Sequence, residues 1–213
     1  MRICIIAEGC YPYVVGGVSS WTHSLIKSFP NQEFVILAIV ANRSLRGKYV
    51  YDLPDNVTEV HELYLDDVDW ERERQRKSRM NRKEYDALRK LLLGQDTQWE
   101  ILFDFFQKKE ISMNDMLMGE DFFHGVTEFY KLNYSQLAFS DFLWMMRSIY
   151  LTLFTTMKMK IPKADVYHCV CTGYAGVLGS MAKHIHGGRL VISEHGIYTR
   201  EREEELLTAK WVQ

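Results

Sequence analysis

Residues 2–29, RICIIAEGCYPYVVGGVSSWTHSLIKSF, set the architecture of the chain. They read as an apolar strand over 2–7, a loop closing on paired glycines, and an amphipathic helix over 18–29. A strand feeding a glycine loop and then a helix is how nucleotide-binding α/β sheets begin. Neither common phosphate signature is present, since the loop has no G-x-G-x-x-G and no G-x-x-x-x-G-K-[ST].

The same alternation recurs along the chain. Strands are predicted over 34–40 and 58–65, then over 166–171 and 190–194, with a helix over 175–186 between the last two and a charged helix from about 199. Strands that are continuous Ile/Val/Leu runs, alternating with helices, belong in a parallel sheet covered on both faces. The predicted fold is therefore α/β: a Rossmann-like open parallel sheet with core segments 1–65 and 161–213 and a large helical insertion over 66–160. Within the insertion, Thr97-x-x-Glu100 and Ser112-x-x-Asp115 have capping-box spacing. Trp99, Leu102, Phe103 and Phe106 recur at helical intervals and read as the insertion's own core. The final stretch 201–213 places Leu206, Leu207, Trp211 and Val212 on an amphipathic helix, so the chain reads as the first half of something larger.

Composition narrows the function classes. Of 213 residues, 47% are hydrophobic and 25% charged, enough for a soluble domain with a substantial core. A net charge of −2 and a pI near 6.4 give no reason to expect a nucleic-acid partner. The basic run 72–82 is interleaved with Glu71 and Glu73 and reads as a solvated helix face. Cys4, Cys169 and Cys171 fall within predicted buried strands and no C-x-x-C pair occurs, so the cysteines read as free thiols in a reducing compartment and no metal is expected. The N-terminus is too soon interrupted by Glu8 for a secretory signal. The stretch 137–159, which opens LAFSDFLWMMRSIYLTLFTTM, is long enough to span a membrane, but Asp141 and Arg147 within it point to a largely buried helix.

In such a sheet ligands bind beyond the carboxyl ends of the strands, where the strand order reverses. Three features are expected to meet there: Glu8 to Gly17, Cys171 to Gly173, and Glu194-His195-Gly196. Gly16 and Gly17 suit positive φ and close approach of a diphosphate to the helix N-terminus; the other reading is a tight turn with Ser19 or Ser20 as the cap. Tyr11 and Tyr13 either stack on a sugar or pack locally. His195, between a strand and a glycine, is placed to hydrogen-bond a sugar hydroxyl or a phosphate, or else to cap the next helix. His168 lies within its strand, as a core residue or as one reaching the crevice. Arg200 and Arg202 suit phosphate or pair with neighbouring glutamates.

EGCYPYVVGGVSSW (8–21), YHCVCTGYAG (167–176) and ISEHGIYTRERE (192–203), in that order, resemble the N-terminal domain of PelF-type glycosyltransferases, cytoplasmic family 4 enzymes of Pel exopolysaccharide synthesis. The resemblance implies a GT-B fold and a retaining transfer of glucose from UDP-glucose, with no metal and no bound cofactor. It implies that Gly16 and Gly17 approach the donor diphosphate and that His195 lies by the transferring sugar. It implies that Glu8, Tyr13, His168 and Tyr198 shape the acceptor side, for a carbohydrate acceptor. Family 4 enzymes carry a Glu-x7-Glu motif and their main nucleotide contacts in a C-terminal domain, which is missing here, so these residues by themselves are expected to be catalytically silent. Two other readings stand beside this one. An oxidoreductase-type domain needs an acidic residue closing the second strand, where Val40-Ala41-Asn42 offers none. A docking role for the insertion, on a membrane-bound polysaccharide synthase complex, would place the protein peripherally at the inner face of the membrane.

Overall fold

The computed structural model describes residues 1–66, 80–196, 200, 203, 204 and 207. The chain divides into two compact units, Met1–Tyr64 with Ile161–Gln213, and Leu65–Lys160. In chain order, the first unit begins with β1 (Arg2–Glu8), α1 (Gly17–Ser28), β2 (Glu33–Val40) and β3 (Val57–Tyr64). The second unit contributes α2 (Arg82–Leu92), α3 (Trp99–Lys108), α4 (Met113–Leu117), α5 (Glu120–Asn133) and α6 (Phe139–Met157). The chain then returns to the first unit with β4 (Val166–Cys169), α7 (Tyr174–His186) and β5 (Arg189–Ile192).

The five strands form one parallel sheet in the order β3-β2-β1-β4-β5. This is a Rossmann-like open parallel sheet, as the apolar runs predicted, and β1 lies at its centre. Residues 4–7 and 34–40 are no more than 3% exposed, which is why both strands read as unbroken hydrophobic runs. The two faces are covered by different helices. Ile5 and Ala7 pack in one cluster with Ile36, Ala38, Val40 and Ile26 of α1. Ile6 points the other way, toward Gly179 of α7. A Cβ at Gly179 would stand 2.7 Å from Leu190 Cδ1 and would also strike Cys169 Sγ, so the glycine sets how closely α7 lies on β4 and β5.

Two strands end sooner than predicted. β4 stops at Cys169 because the ladder is taken over by a side chain: Val170 N still donates to Ile6 O, but Cys171 turns its sulfur to the Glu8 amide at 3.2 Å. Cys171 is therefore a half-buried loop residue, which corrects its assignment to a buried strand. β5 is an edge strand in the described sheet, and Val191 and Ile192 are about half exposed, at 45% and 48%.

The insertion unit has its own core. Leu102, Phe105, Phe106, Phe122, Val126, Phe142 and Phe154 are buried, and the rings of Phe106 and Phe154 lie 5.0 Å apart. α6 buries Phe142, Met146, Phe154 and Met157 on one stripe, while Arg147 donates to Leu117 O at 3.1 Å. No described helix is long and apolar enough to cross a membrane. Ser112 caps α4 as its spacing predicts, accepting from Asp115 N at 2.9 Å. Thr97 does not cap α3: its hydroxyl donates to Gln95 O and the helix starts behind Gln98. A full capping box that the sequence reading passed over stands at Asn81 and Glu84, at the head of α2. Most of the basic run 72–82 lies outside the described residues.

Candidate functional site

β1 delivers Glu8 to the carboxyl rim of the sheet, and the carboxylate is used at once. Its Oε2 accepts from Ala175 N at 3.0 Å, in the first turn of α7. The N-cap of that helix, Gly173, has no side chain to do so and adopts φ 75°, a conformation other residues rarely take. Glu8 thus caps a helix on the neighbouring strand, where a carboxylate also complements the helix dipole.

α1 starts differently. Its N-cap is Gly16, no side chain among the described residues caps its first turn, and no acidic residue lies in that turn. Neither serine fills the role: Ser19 is buried, and Ser20 Oγ pairs with Tyr51 Oη at 3.1 Å. The expected positive φ at Gly16 and Gly17 is not observed. Gly16 is extended (φ 176°) and Gly17 is the first helical residue; the left-handed glycines of this rim are Gly9 and Gly173. What the pair supplies is room, since a Cβ built at either position meets nothing within 4 Å. The first-turn amides, with their partial positive charge, thus follow exposed residues without side chains, an arrangement that suits a phosphate.

The tyrosines of the loop point inward. Tyr11 is fully buried against Tyr51 and His23, with its hydroxyl 3.2 Å from His23 Nδ1. Tyr13 is 8% exposed, donates to Glu62 and lies edge-on to Tyr49, so its hydroxyl is engaged within the fold. Tyr49 also donates to Glu62, at 3.0 Å.

On the other side of the rim the histidines gather around an indole. Trp21 of α1 is edge-on to His195 at 4.8 Å between ring centroids and to His168 at 5.8 Å. His168 Nε2 lies 2.8 Å from Ser193 Oγ. Burial, and then the charge of His195, push the His168 imidazole below its ordinary value. His195 itself is exposed. Glu8, Cys171 and Gly173 thus meet on one part of the rim, and His168 and His195 meet through Trp21 on another. Tyr198 and Arg202 lie outside the described residues, and Arg200 is exposed. Trp21 and Ser193 were missed in the sequence. The signal for Trp21 was its place four residues after Gly17, on the same helix face.

A family model described as "Domain of unknown function (DUF3492)" matches residues 1–213, the whole chain. The chain belongs to the DUF3492 family. No curated protein and no solved structure matches it. Among the described residues of this DUF3492 domain, no group of three or more His, Cys, Asp or Glu side chains is placed to hold a metal ion. The insertion of the DUF3492 domain has an open hollow lined by Arg82, Lys83, Tyr85 and Arg89, but Arg89 is committed to Glu128 through both Nε and Nη2. The chemistry that the rim can perform is recognition of an anion at α1 and hydrogen bonding by an accessible imidazole beside an indole.

Proposed function

We propose that this DUF3492 domain is the acceptor-side, N-terminal domain of a retaining glycosyltransferase of the PelF type, which transfers glucose from UDP-glucose during exopolysaccharide synthesis. One observation supports this most: the uncapped start of α1, with space above Gly16 and Gly17, shares a sheet rim with the Trp21, His168 and His195 cluster. In this reading the α1 amides receive the donor diphosphate and oppose the charge that grows on the departing UDP. Fixed dipoles aimed at developing charge are among the largest contributions to a rate. His195 hydrogen-bonds the transferring sugar, Trp21 holds its ring in place, and the His168–Ser193 pair lines the acceptor side. By the family resemblance, base and ribose contacts belong to a second Rossmann-like domain, no metal takes part, and this domain by itself is silent. The reading places the enzyme in the cytoplasm, at the inner face of the membrane. The test is UDP release from UDP-glucose by the protein that carries the domain, with GDP- and ADP-glucose as controls. Turnover of UDP-glucose supports the reading; turnover of none of the three removes it.

A second reading has its own observation. Leu132, Trp144 and Ile149 of the insertion are 66%, 63% and 50% exposed, a set of apolar side chains open to a protein partner such as a synthase complex. Recharging it with Trp144→Glu and Ile149→Glu abolishes assembly in this reading and leaves assembly intact if the surface is only solvated.

A further inference from the structure

α2 begins with two exposed cations, Arg82 and Lys83, in its first turn. Positive charge there opposes the helix dipole, so the placement weakens the helix instead of supporting it. The nearest carboxylate is already engaged: Glu84 accepts from Asn81 N at 2.8 Å and from Lys109 Nζ at 2.6 Å. Among the described residues, neither the Arg82 nor the Lys83 side chain forms an ion pair. Both line an open hollow of about 770 Å³, a size common for small-molecule sites. Its wall is one stripe of α2, with Arg82, Tyr85, Asp86 and Arg89 at helical spacing, completed by Gln98 and Ile101 from the start of α3.

The hollow is rich in donors and poor in acceptors. Asp86 is the one carboxylate of its lining, and it is paired with Lys90 at 3.1 Å. Arg89 gives Glu128 one N–H from Nε, at 2.7 Å, and one from Nη2, which leaves three of a guanidinium's five. Gln98 stands at the N-cap of α3 without capping it, so its amide is not spent on the helix. Burial, and then the Glu128 charge, push the Tyr85 phenol up, so it stays an O–H donor. A smaller hollow of about 300 Å³ shares Lys83 and Ile101 but balances its other cations within its own wall. There Lys109 pairs with Glu84 at 2.6 Å and Lys108 with Asp104 at 2.7 Å. The larger hollow keeps two positive charges without a carboxylate.

We propose that this hollow of the insertion binds a soluble phosphomonoester, such as a sugar phosphate, between the Arg82–Arg89 stripe of α2 and the start of α3. A phosphomonoester brings about −1.5 to −2 charges at neutral pH and three acceptor oxygens in one group. That matches two unbalanced cations and a set of unspent N–H and O–H donors, whereas a carboxylate brings a single charge and two oxygens. Arg82 and Lys83 take the charge. Arg89, held in place by Glu128, offers a fixed fork to the oxygens. Tyr85 and Ile101 receive the carbon skeleton.

Calorimetric titration of the full chain with glucose 6-phosphate at low salt tests this, with glucose and glucuronate as the uncharged and singly charged controls. Saturable heat is expected from glucose 6-phosphate and none from glucose, with glucuronate bound at least about 10-fold more weakly. Arg82→Gln with Lys83→Gln lowers the glucose 6-phosphate affinity at least about 10-fold. The same pair of changes leaves the unfolding midpoint at or above wild type, because it relieves the first turn of α2 of charge that opposes the dipole. Arg82→Lys with Lys83→Arg keeps both charges and retains binding. Gly17→Val, at the sheet rim, leaves the affinity unchanged. Absence of saturable heat overturns the proposal, as does wild-type affinity in the Gln variant or equal affinity for glucose or glucuronate. Loss of binding in Gly17→Val overturns it as well, since the phosphate would then belong to α1.

Discussion

The indole of Trp21 meets the imidazole of His195 edge-on, with ring centroids 4.8 Å apart. The contact joins the helix that follows β1 to the loop that follows β5, and so ties the first turns of α1 to the one exposed histidine of the rim. Trp21 is 39% exposed, so little of the fold's stability rests on it. In the enzyme proposed here, Trp21→Ala lowers transfer about 100-fold by loosening His195, in line with the cost of misplacing a catalytic group. Trp21→Phe restores most of the rate, because an aromatic edge remains. Steady-state kinetics beside thermal unfolding check this; equal loss of rate in both variants would show that the indole N–H, not the ring, is what matters.

Gly17 separates ligand binding from folding. A Cβ built there meets nothing within 4 Å outside its own turn, and the residue has no positive φ to lose. Gly17→Val therefore leaves the unfolding free energy within about 0.5 kcal/mol of wild type, as for an ordinary surface change. The branched side chain fills the space over the α1 amides, so calorimetry should find donor affinity lowered at least about 10-fold, a modest steric cost of about 1.4 kcal/mol. Unchanged affinity would remove the diphosphate from this loop.

Glu8 carries the reverse expectation. Its carboxylate caps α7 through Ala175 N, so Glu8→Ala should destabilise the domain by about 0.5–2 kcal/mol. Urea unfolding measures this. Full stability with lost transfer would return Glu8 to the acceptor role that the family resemblance implies.

The carboxylate of Glu62 gives the fold a pH dependence. Burial works to raise its carboxyl, but hydrogen bonds from Tyr13, Tyr64 and Tyr49 outweigh burial and hold it below the ordinary value. A carboxyl depressed on folding stabilises the native state above its unfolded pKa of about 4.3, and that contribution is lost as pH falls through the lower folded value. Tyr13→Phe removes one bond to a charged acceptor and should cost about 1.5–3 kcal/mol at pH 7. Glu62→Gln should be less stable than wild type at neutral pH, and the gap should narrow below pH about 4. Unfolding curves at the two pH values decide; a gap that does not change with pH would mean that Glu62 acts through shape alone.

Much of this architecture was readable because its signals are local and repetitive. Residues 4–7 and 34–40 lie in the middle of a sheet covered on both faces, so their burial left unbroken apolar runs. What escaped was decided by contacts across the chain. Nothing near Tyr13 announces Glu62, 49 residues on, as its hydrogen-bond partner. Gly16 and Gly17 invited a left-handed reading, yet the chain makes its sharp turns at Gly9 and Gly173, and the pair serves by leaving space. At Thr97 the capping spacing was present but the hydroxyl found a carbonyl two residues back, the usual competition that short polar side chains offer.

The most direct test of the proposed transfer is His195→Ala in the protein that carries this domain, with UDP release from UDP-glucose and the unfolding midpoint measured on the same preparation. His195 is exposed, so its removal should leave the midpoint essentially unchanged while UDP release falls about 100-fold, the range typical of a positioned acid–base or hydrogen-bonding group. Wild-type UDP release by His195→Ala, or a fall that only tracks a lower midpoint, would contradict the account.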